Sequence, residues 1–336
     1  MTPAPAALAP EPGSVDLLID LAGKDMAGVD ALILQRMQSP VAVIPALADH
    51  LIAAGGKRLR PLLTVAADRL AGGHGDNCLK LAAAVEFIHT ATLLHDDVVD
   101  GSQLRRGKVA AHLIWGGAQS VLVGDFLFAR AFELMVETHS IQALDILARA
   151  SRVIAEGEVL QLTRAHDLNL GQDVYLEIIA AKTAELFAAA AEAGAVSAGT
   201  SDEARNALRN FGLNLGLAFQ LADDALDYGG ETAALGKNAG DDFREGKSTL
   251  PLLLAIARTG AAEAAFWQRT VGNLDQTDAD FLRARDLIVS TGAIDATLDL
   301  AAAYAATAKQ ALSIFPANNW RKALESLADF SVTRRT

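Results

Sequence analysis

From Val15 to Val332, apolar residues recur at i, i+3 and i+4 almost without pause, and no stretch shows the period-two alternation of a half-buried strand. A chain patterned this way satisfies its backbone within helices and buries their apolar stripes against one another. Alanine and leucine dominate and aromatics are 5% of residues, which favours helices over strands. The spacing predicts helices over 15–38, 40–54, 60–72, 77–97, 108–115, 118–138, 140–165 and 171–197. It predicts others over 202–228, 249–259, 261–273, 278–290, 291–313 and 317–331. Glycine pairs such as Gly72-Gly73 and Gly116-Gly117 break the pattern, and Pro61 and Pro251 stand at helix starts, where a missing N–H costs nothing. No linker divides the run, so residues 15–336 read as one all-α domain. The Pro/Ala-rich residues 1–14 read as a disordered leader.

A formal net charge of −12 argues against nucleic acid as a partner, which needs a basic footprint. No apolar run approaches the ~18 residues of a transmembrane helix. The first residues lack a basic region followed by an apolar core, so no secretory signal is read there, and the expected compartment is the cytoplasm. The single cysteine, Cys78, excludes an intramolecular disulfide framework and reads as a small buried hydrophobe.

Two clusters of the form D-D-x-x-D carry the chemistry: Asp96-Asp97-Val98-Val99-Asp100 and Asp223-Asp224-Ala225-Leu226-Asp227. Each ends a long apolar stretch, and on a helix i and i+4 share a face, so Asp96 projects with Asp100 and Asp223 with Asp227. One such cluster alone reads equally well as a solvated acidic helix end. Two with the same apolar lead-in argue against coincidence. Carboxylates gathered at the mouths of two apolar helices repel unless cations sit between them, and oxygen donors of this kind suit Mg²⁺, which keeps positions open for water and phosphate oxygens. A diphosphate substrate follows.

Basic residues supply the other half of such a site. Gly55-Gly56-Lys57-Arg58-Leu59-Arg60-Pro61 sets cations beside glycines just before a helix, where backbone and dipole both favour an anion. Arg105 and Arg106 follow the first cluster closely, as plain salt-bridge partners or as grips on the same diphosphate. Lys182 lies among apolar residues, where an unpaired ammonium is costly and a ligand phosphate would relieve it, and Lys237 and Lys247 add further charge. His89 lies two helical turns before Asp96 on nearly the same face.

With GGKRLRP, DDVVD, LRRG, KTAEL, FQLADDALDY and GDDFREGKSTLPLL in this order, the chain resembles the trans-isoprenyl diphosphate synthases, or polyprenyl synthetases. It is most similar to their long-chain bacterial members, the octaprenyl and decaprenyl diphosphate synthases. The resemblance implies the isoprenoid synthase fold, a dozen or more helices around a deep central cavity, usually as a homodimer. It implies that Asp96, Asp100 and Asp223 bind Mg²⁺, as three ions when substrate is bound, with Asp97, Asp224 and Asp227 supporting or sharing. It also implies that Lys57, Arg60, His89 and Arg106 hold the diphosphate of isopentenyl diphosphate. Arg105, Lys182, Thr183, Gln220, Lys237 and Lys247 would contact the diphosphate of an allylic partner such as farnesyl diphosphate. Arg58 is left out, as its side chain is expected to face away.

A terpene cyclase ionises the same substrates, but the second D-D-x-x-D and the GGKRLRP segment argue against one. A non-catalytic subunit of a heteromeric synthase is expected to have eroded aspartates, and these are intact. Product length stays open between a long chain and a shorter one. Ala91 and Thr92, one turn below Asp96, are small and leave room for a growing tail, with its end set on this helix or by Phe126, Phe128 or Phe132 on another.

Overall fold

The computed structural model describes residues 15–53, 58–105, 107–229 and 240–333. The leader over 1–14, Lys57, Arg106 and Lys237 lie outside the described residues. The helices run in chain order as α1 (Asp16–Arg36), α2 (Val43–Ala53), α3 (Leu59–Leu70), α4 (Asn77–Val99), α5 (Ala111–Trp115), α6 (Gly117–Val136), α7 (Ile141–Thr163) and α8 (Gln172–Ile179). They continue as α9 (Glu185–Ser197), α10 (Asp202–Gly229), α11 (Asp241–Arg244), α12 (Leu250–Thr259), α13 (Ala264–Trp267), α14 (Asp278–Ser290), α15 (Ala293–Ala311) and α16 (Asn319–Thr333). The all-α expectation holds, and no single helix among the described residues is long and apolar enough to cross a membrane.

Three details differ from the periodicity. The helix expected over 108–115 starts at Ala111, because Lys108–Val109 (β2) pairs antiparallel with Leu104–Arg105 (β1) in a two-strand hairpin. The helix expected over 171–197 contains a π turn, Ala180–Ala184, between α8 and α9. The stretch expected over 261–273 is a 3₁₀ turn, the short α13 and a second π turn, Gln268–Gly272.

The core is built on α10, which packs against α9 and α15, while α4 lies along α6 and α3 along α9. Small residues permit the close approaches. A Cβ at Gly216 of α10 would come 2.5 Å from Ala184 Cα, and one at Gly157 of α7 would come 2.7 Å from Ala181 Cβ. The π turn is thereby wedged between α7 and α10, which fixes where Lys182 and Thr183 stand. Gly72 and Gly116 take positive φ at two of the breaks between helices, a conformation open to glycine at little cost. Cys78 is a buried free thiol.

Candidate active site

A cavity of about 1130 Å³ opens between α3, α4, α7, α8, α10 and the segment 240–249. Asp96 and Asp100 line it from α4, and Asp223, Asp224 and Asp227 line it from α10. The two clusters therefore face one space, one from each wall.

Within each cluster the second aspartate is nearly buried, and Asp97 leaves the cavity altogether while Asp224 borders it. Each helical residue advances about 100°, so i+1 leaves the face shared by i and i+4. Asp97 is 1% exposed, lies outside the cavity lining, and accepts from Arg105 Nε at 2.8 Å and from a second, shorter bond from the same guanidinium. Asp224 is 3% exposed and accepts from Tyr175 Oη at 2.5 Å and from Gln220 Nε2 at 2.7 Å. Burial and the nearby Asp242 push the Asp224 carboxyl well up, while the Tyr175 and Gln220 bonds pull it back.

Cations already reach the carboxylates. Lys182 Nζ lies 2.7 Å from Glu158 Oε2, 2.8 Å from Gln161 Oε1 and 3.9 Å from Asp96. The burial cost expected for an unpaired Lys182 is thus met by α7 in this structure. Lys247 Nζ lies 3.1 Å from Asp100 and 2.5 Å from Glu245. Burial alone would lower Lys247, but Asp100, Asp242 and Glu245 hold its ammonium above its ordinary value. Asp96 is pushed up to about 7 by burial, only partly opposed by Lys182 and reinforced by Glu158 and Asp100.

Arg60, in the first turn of α3, sits 3.2 Å from His89 Nε2 with its guanidinium 4.4 Å from the centre of the Phe187 ring. Both Arg60 and His89 line the cavity. Arg58 caps α3 in the left-handed region and pairs with Asp30 on α1, yet it lines the cavity together with Arg60. Thr183 and Gln220 line the cavity and bond to each other, Thr183 Oγ1 donating to Gln220 Oε1 at 2.9 Å.

Thr92 lines the cavity, whereas Ala91 does not: it is wholly buried in the core. Ala91 lies one helical turn before His95, whose ring bonds to Val121 O of α6 and stacks near Phe128, so Ala91 falls on the α6 side of α4. The expected tunnel floor is thus split between two faces.

Glu158, Gln161, Tyr175, Asp242 and Glu245 line the cavity without having been singled out from sequence. Asp242 and Glu245 stood inside the GDDFREGK string beside Lys247 and were overlooked there. The other three are single polar residues on amphipathic helices, with no local signal to set them apart.

The donors fit a hard divalent cation, since every candidate ligand is a carboxylate oxygen on the wall of one cavity. Among the described residues no three such ligands converge on one point, so an ion held here draws on phosphate oxygens and water to fill its shell.

The polyprenyl synthetase family model matches residues 41–288. The chain is 44% identical over 324 residues to octaprenyl diphosphate synthase of Escherichia coli, covering 96% of this chain and 99% of that one. Its fold matches a polyprenyl synthase from Caulobacter crescentus, whose crystal structure is complexed with calcium and isoprenyl diphosphate, at a TM-score of 0.95 with 77% identity, covering 98% of this chain and 100% of that one. It also matches a decaprenyl diphosphate synthase from Rhodobacter capsulatus at 0.91 with 51% identity, covering 95% and 98%. Paired aspartate faces across one helical cavity, and likeness over nearly the whole chain, make this protein a member of the polyprenyl synthetase family.

Proposed function

We propose that this enzyme is a trans-prenyltransferase that condenses isopentenyl diphosphate head-to-tail onto an allylic diphosphate such as farnesyl diphosphate. It builds a long all-trans polyprenyl diphosphate for a quinone side chain. The observation that carries the reading is the convergence of the α4 and α10 aspartate faces, with Lys182 and Lys247, on one cavity. Relatives of long-chain type at near full coverage support the product class.

Asp96, Asp100 and Asp223 are the residues to hold Mg²⁺, with Asp227 beside them. Mg²⁺ held there would supply positive charge against the negative charge gathering on the leaving diphosphate. Lys182 and Lys247 exchange their carboxylate partners for phosphate oxygens, and Arg105, Thr183, Gln220 and Lys237 are assigned to the same allylic diphosphate. Arg60 and His89, with Lys57 and Arg106, orient isopentenyl diphosphate so that its double bond lies beside the allylic carbon. Apolar walls that include Phe187, Phe219 and Ile179 keep the carbocation from water. The proton lost after bond formation leaves with the departing diphosphate, so no side-chain base is assigned.

A homodimer in the cytoplasm completes the proposal. Leu122, Phe132 and Val136 are exposed on α6, which supports pairing of two copies along that helix. The deciding experiment incubates the protein with farnesyl and isopentenyl diphosphates, with and without Mg²⁺, and analyses products by mass. A ladder of added isoprene units that requires Mg²⁺ is expected. Cyclised hydrocarbon, or no uptake of isopentenyl diphosphate, would overturn the reading.

A further inference from the structure

Tyr175 stands outside every motif that places this chain in its family, yet it makes the most direct contact from α8 to the second aspartate cluster. Its hydroxyl donates to Asp224 Oδ2 at 2.5 Å, and its ring is 3% exposed. The ring packs in a cluster with Leu170, Ile178, Leu221 and Leu250 and borders the cavity on its other side. Asp224 Oδ1 takes its bond from Gln220, one turn earlier on α10, and Gln220 in turn accepts from Thr183. The segment running from α8 through the π turn is therefore tied to α10 at two points beside the second cluster. Tyr175 makes one tie and Thr183, next to Lys182, makes the other.

We propose that Tyr175 is a positioning residue for the second aspartate cluster, its hydroxyl holding Asp224 in the α10 wall so that Asp223 and Asp227 face the cavity at a fixed angle to Lys182. Both Asp224 oxygens accept hydrogen bonds from neutral donors that packing holds in place. Held in this way, the carboxyl group is not free to rotate toward a cation. Without the hydroxyl, one Asp224 oxygen loses its donor while still buried, a costly state that the side chain escapes by turning toward the cavity. A turned Asp224 competes with Asp223 for the same cation and shifts the diphosphate off its line.

This inference rests on the proposed prenyl transfer for its substrates, and its test includes a measurement free of turnover. Tyr175→Phe keeps the ring and removes only the hydroxyl. In the full-length enzyme, turnover is expected to fall about tenfold, the change that follows loss of one hydrogen bond to a charged group, and half-saturating Mg²⁺ to rise by a similar factor. The Michaelis constant for isopentenyl diphosphate is expected to stay within about twofold, because Arg60 and His89 belong to α3 and α4. Mn²⁺ binding with an unreactive allylic diphosphate analogue, read by electron paramagnetic resonance, should weaken by the same factor. Gln220→Met, which strips the other donor from the same carboxylate, should weaken it likewise.

A double-mutant cycle separates positioning from a general packing role. Adding Tyr175→Phe to Asp224→Asn should change Mn²⁺ affinity no further, since the tyrosine acts through that carboxylate. Wild-type Mn²⁺ affinity in Tyr175→Phe, or losses that simply add in the double variant, would overturn the proposal. Failure of the wild-type enzyme to elongate any prenyl diphosphate would instead defeat the functional reading, while the Mn²⁺ comparison would still report on Tyr175.

Discussion

Asp96 and Asp97 are neighbours in sequence with opposite surroundings. Asp96 looks into the cavity at Lys182, and Asp97 is sealed in the wall by Arg105. Their expected roles differ accordingly. Asp96→Ala and Asp223→Ala should each lower turnover by about 10²–10³, the usual loss when one contact to developing negative charge is removed. Near-wild-type rates from a folded variant of either kind would contradict the two-wall site. Arg60→Ala should raise the Michaelis constant for isopentenyl diphosphate by about one to two decades with a smaller effect on the allylic partner. Varying each substrate separately checks this, and equal rises would reassign Arg60. A pH effect follows from Asp96, whose carboxyl is pushed up to about 7. A raised carboxyl takes up its proton as pH falls through that value, so below it a cation must displace the proton before it binds. Apparent Mg²⁺ affinity should therefore fall by up to about tenfold per pH unit below 7 and level off above it. Asp96→Asn should flatten that dependence, and a flat wild-type profile from about pH 6 to pH 8 would show that Asp96 is not in the cation's shell.

At the scale of elements, α4 does two jobs on two faces. Asp96, Asp100 and Thr92 look into the cavity, while Ala91 and His95 look toward α6. The periodicity revealed the helix because apolar spacing runs its whole length, and it put Asp96 with Asp100 because i and i+4 align. It could not show the π turn at Ala180–Ala184, since one extra residue in a turn barely disturbs the apolar spacing of KTAELF. Nor could it show the hairpin at Leu104–Val109, whose strands are two residues each and too short to alternate. Glu158 and Gln161 matter to Lys182 only because α7 packs against the π turn, a contact between distant parts of the chain. The two faces of α4 give a test of the tail's path. Thr92→Phe puts a ring into the cavity below Asp96, and Ala91→Phe puts one into the seam with α6, at a further cost of about 1–3 kcal/mol for overpacking. Both are expected to shorten the product, read by reverse-phase separation after dephosphorylation. A full-length product from an active Thr92→Phe enzyme would remove this face from the tunnel. The same result from Ala91→Phe alone would confine the tail to the cavity side.

Over the whole molecule, the excess of acidic over basic residues is not spread evenly, because α4, α10 and the segment after Gly240 bring their carboxylates to one space. Lys182 and Lys247 offset part of that charge, while Glu158 and Asp100 add to the rise that burial gives Asp96. The unliganded fold therefore carries a repulsion that cation and diphosphate together remove. A ligand that binds only the folded state at a hundredfold excess over its dissociation constant adds about 2.7 kcal/mol of stability. With about 2.1 cal/mol/K of unfolding entropy per residue, a chain of 336 residues should gain about 4 °C in Tm. Mg²⁺ with an unreactive allylic diphosphate should give that rise. Mg²⁺ alone should give much less, since no three ligating side chains among the described residues converge on one point. A chelator should abolish the gain, and Asp223→Ala should blunt it without lowering the Tm of the free protein by a similar amount. Scanning calorimetry with each component omitted in turn checks the prediction. Equal stabilisation by the diphosphate with and without Mg²⁺ would mean that the two aspartate walls do not close on a shared cation.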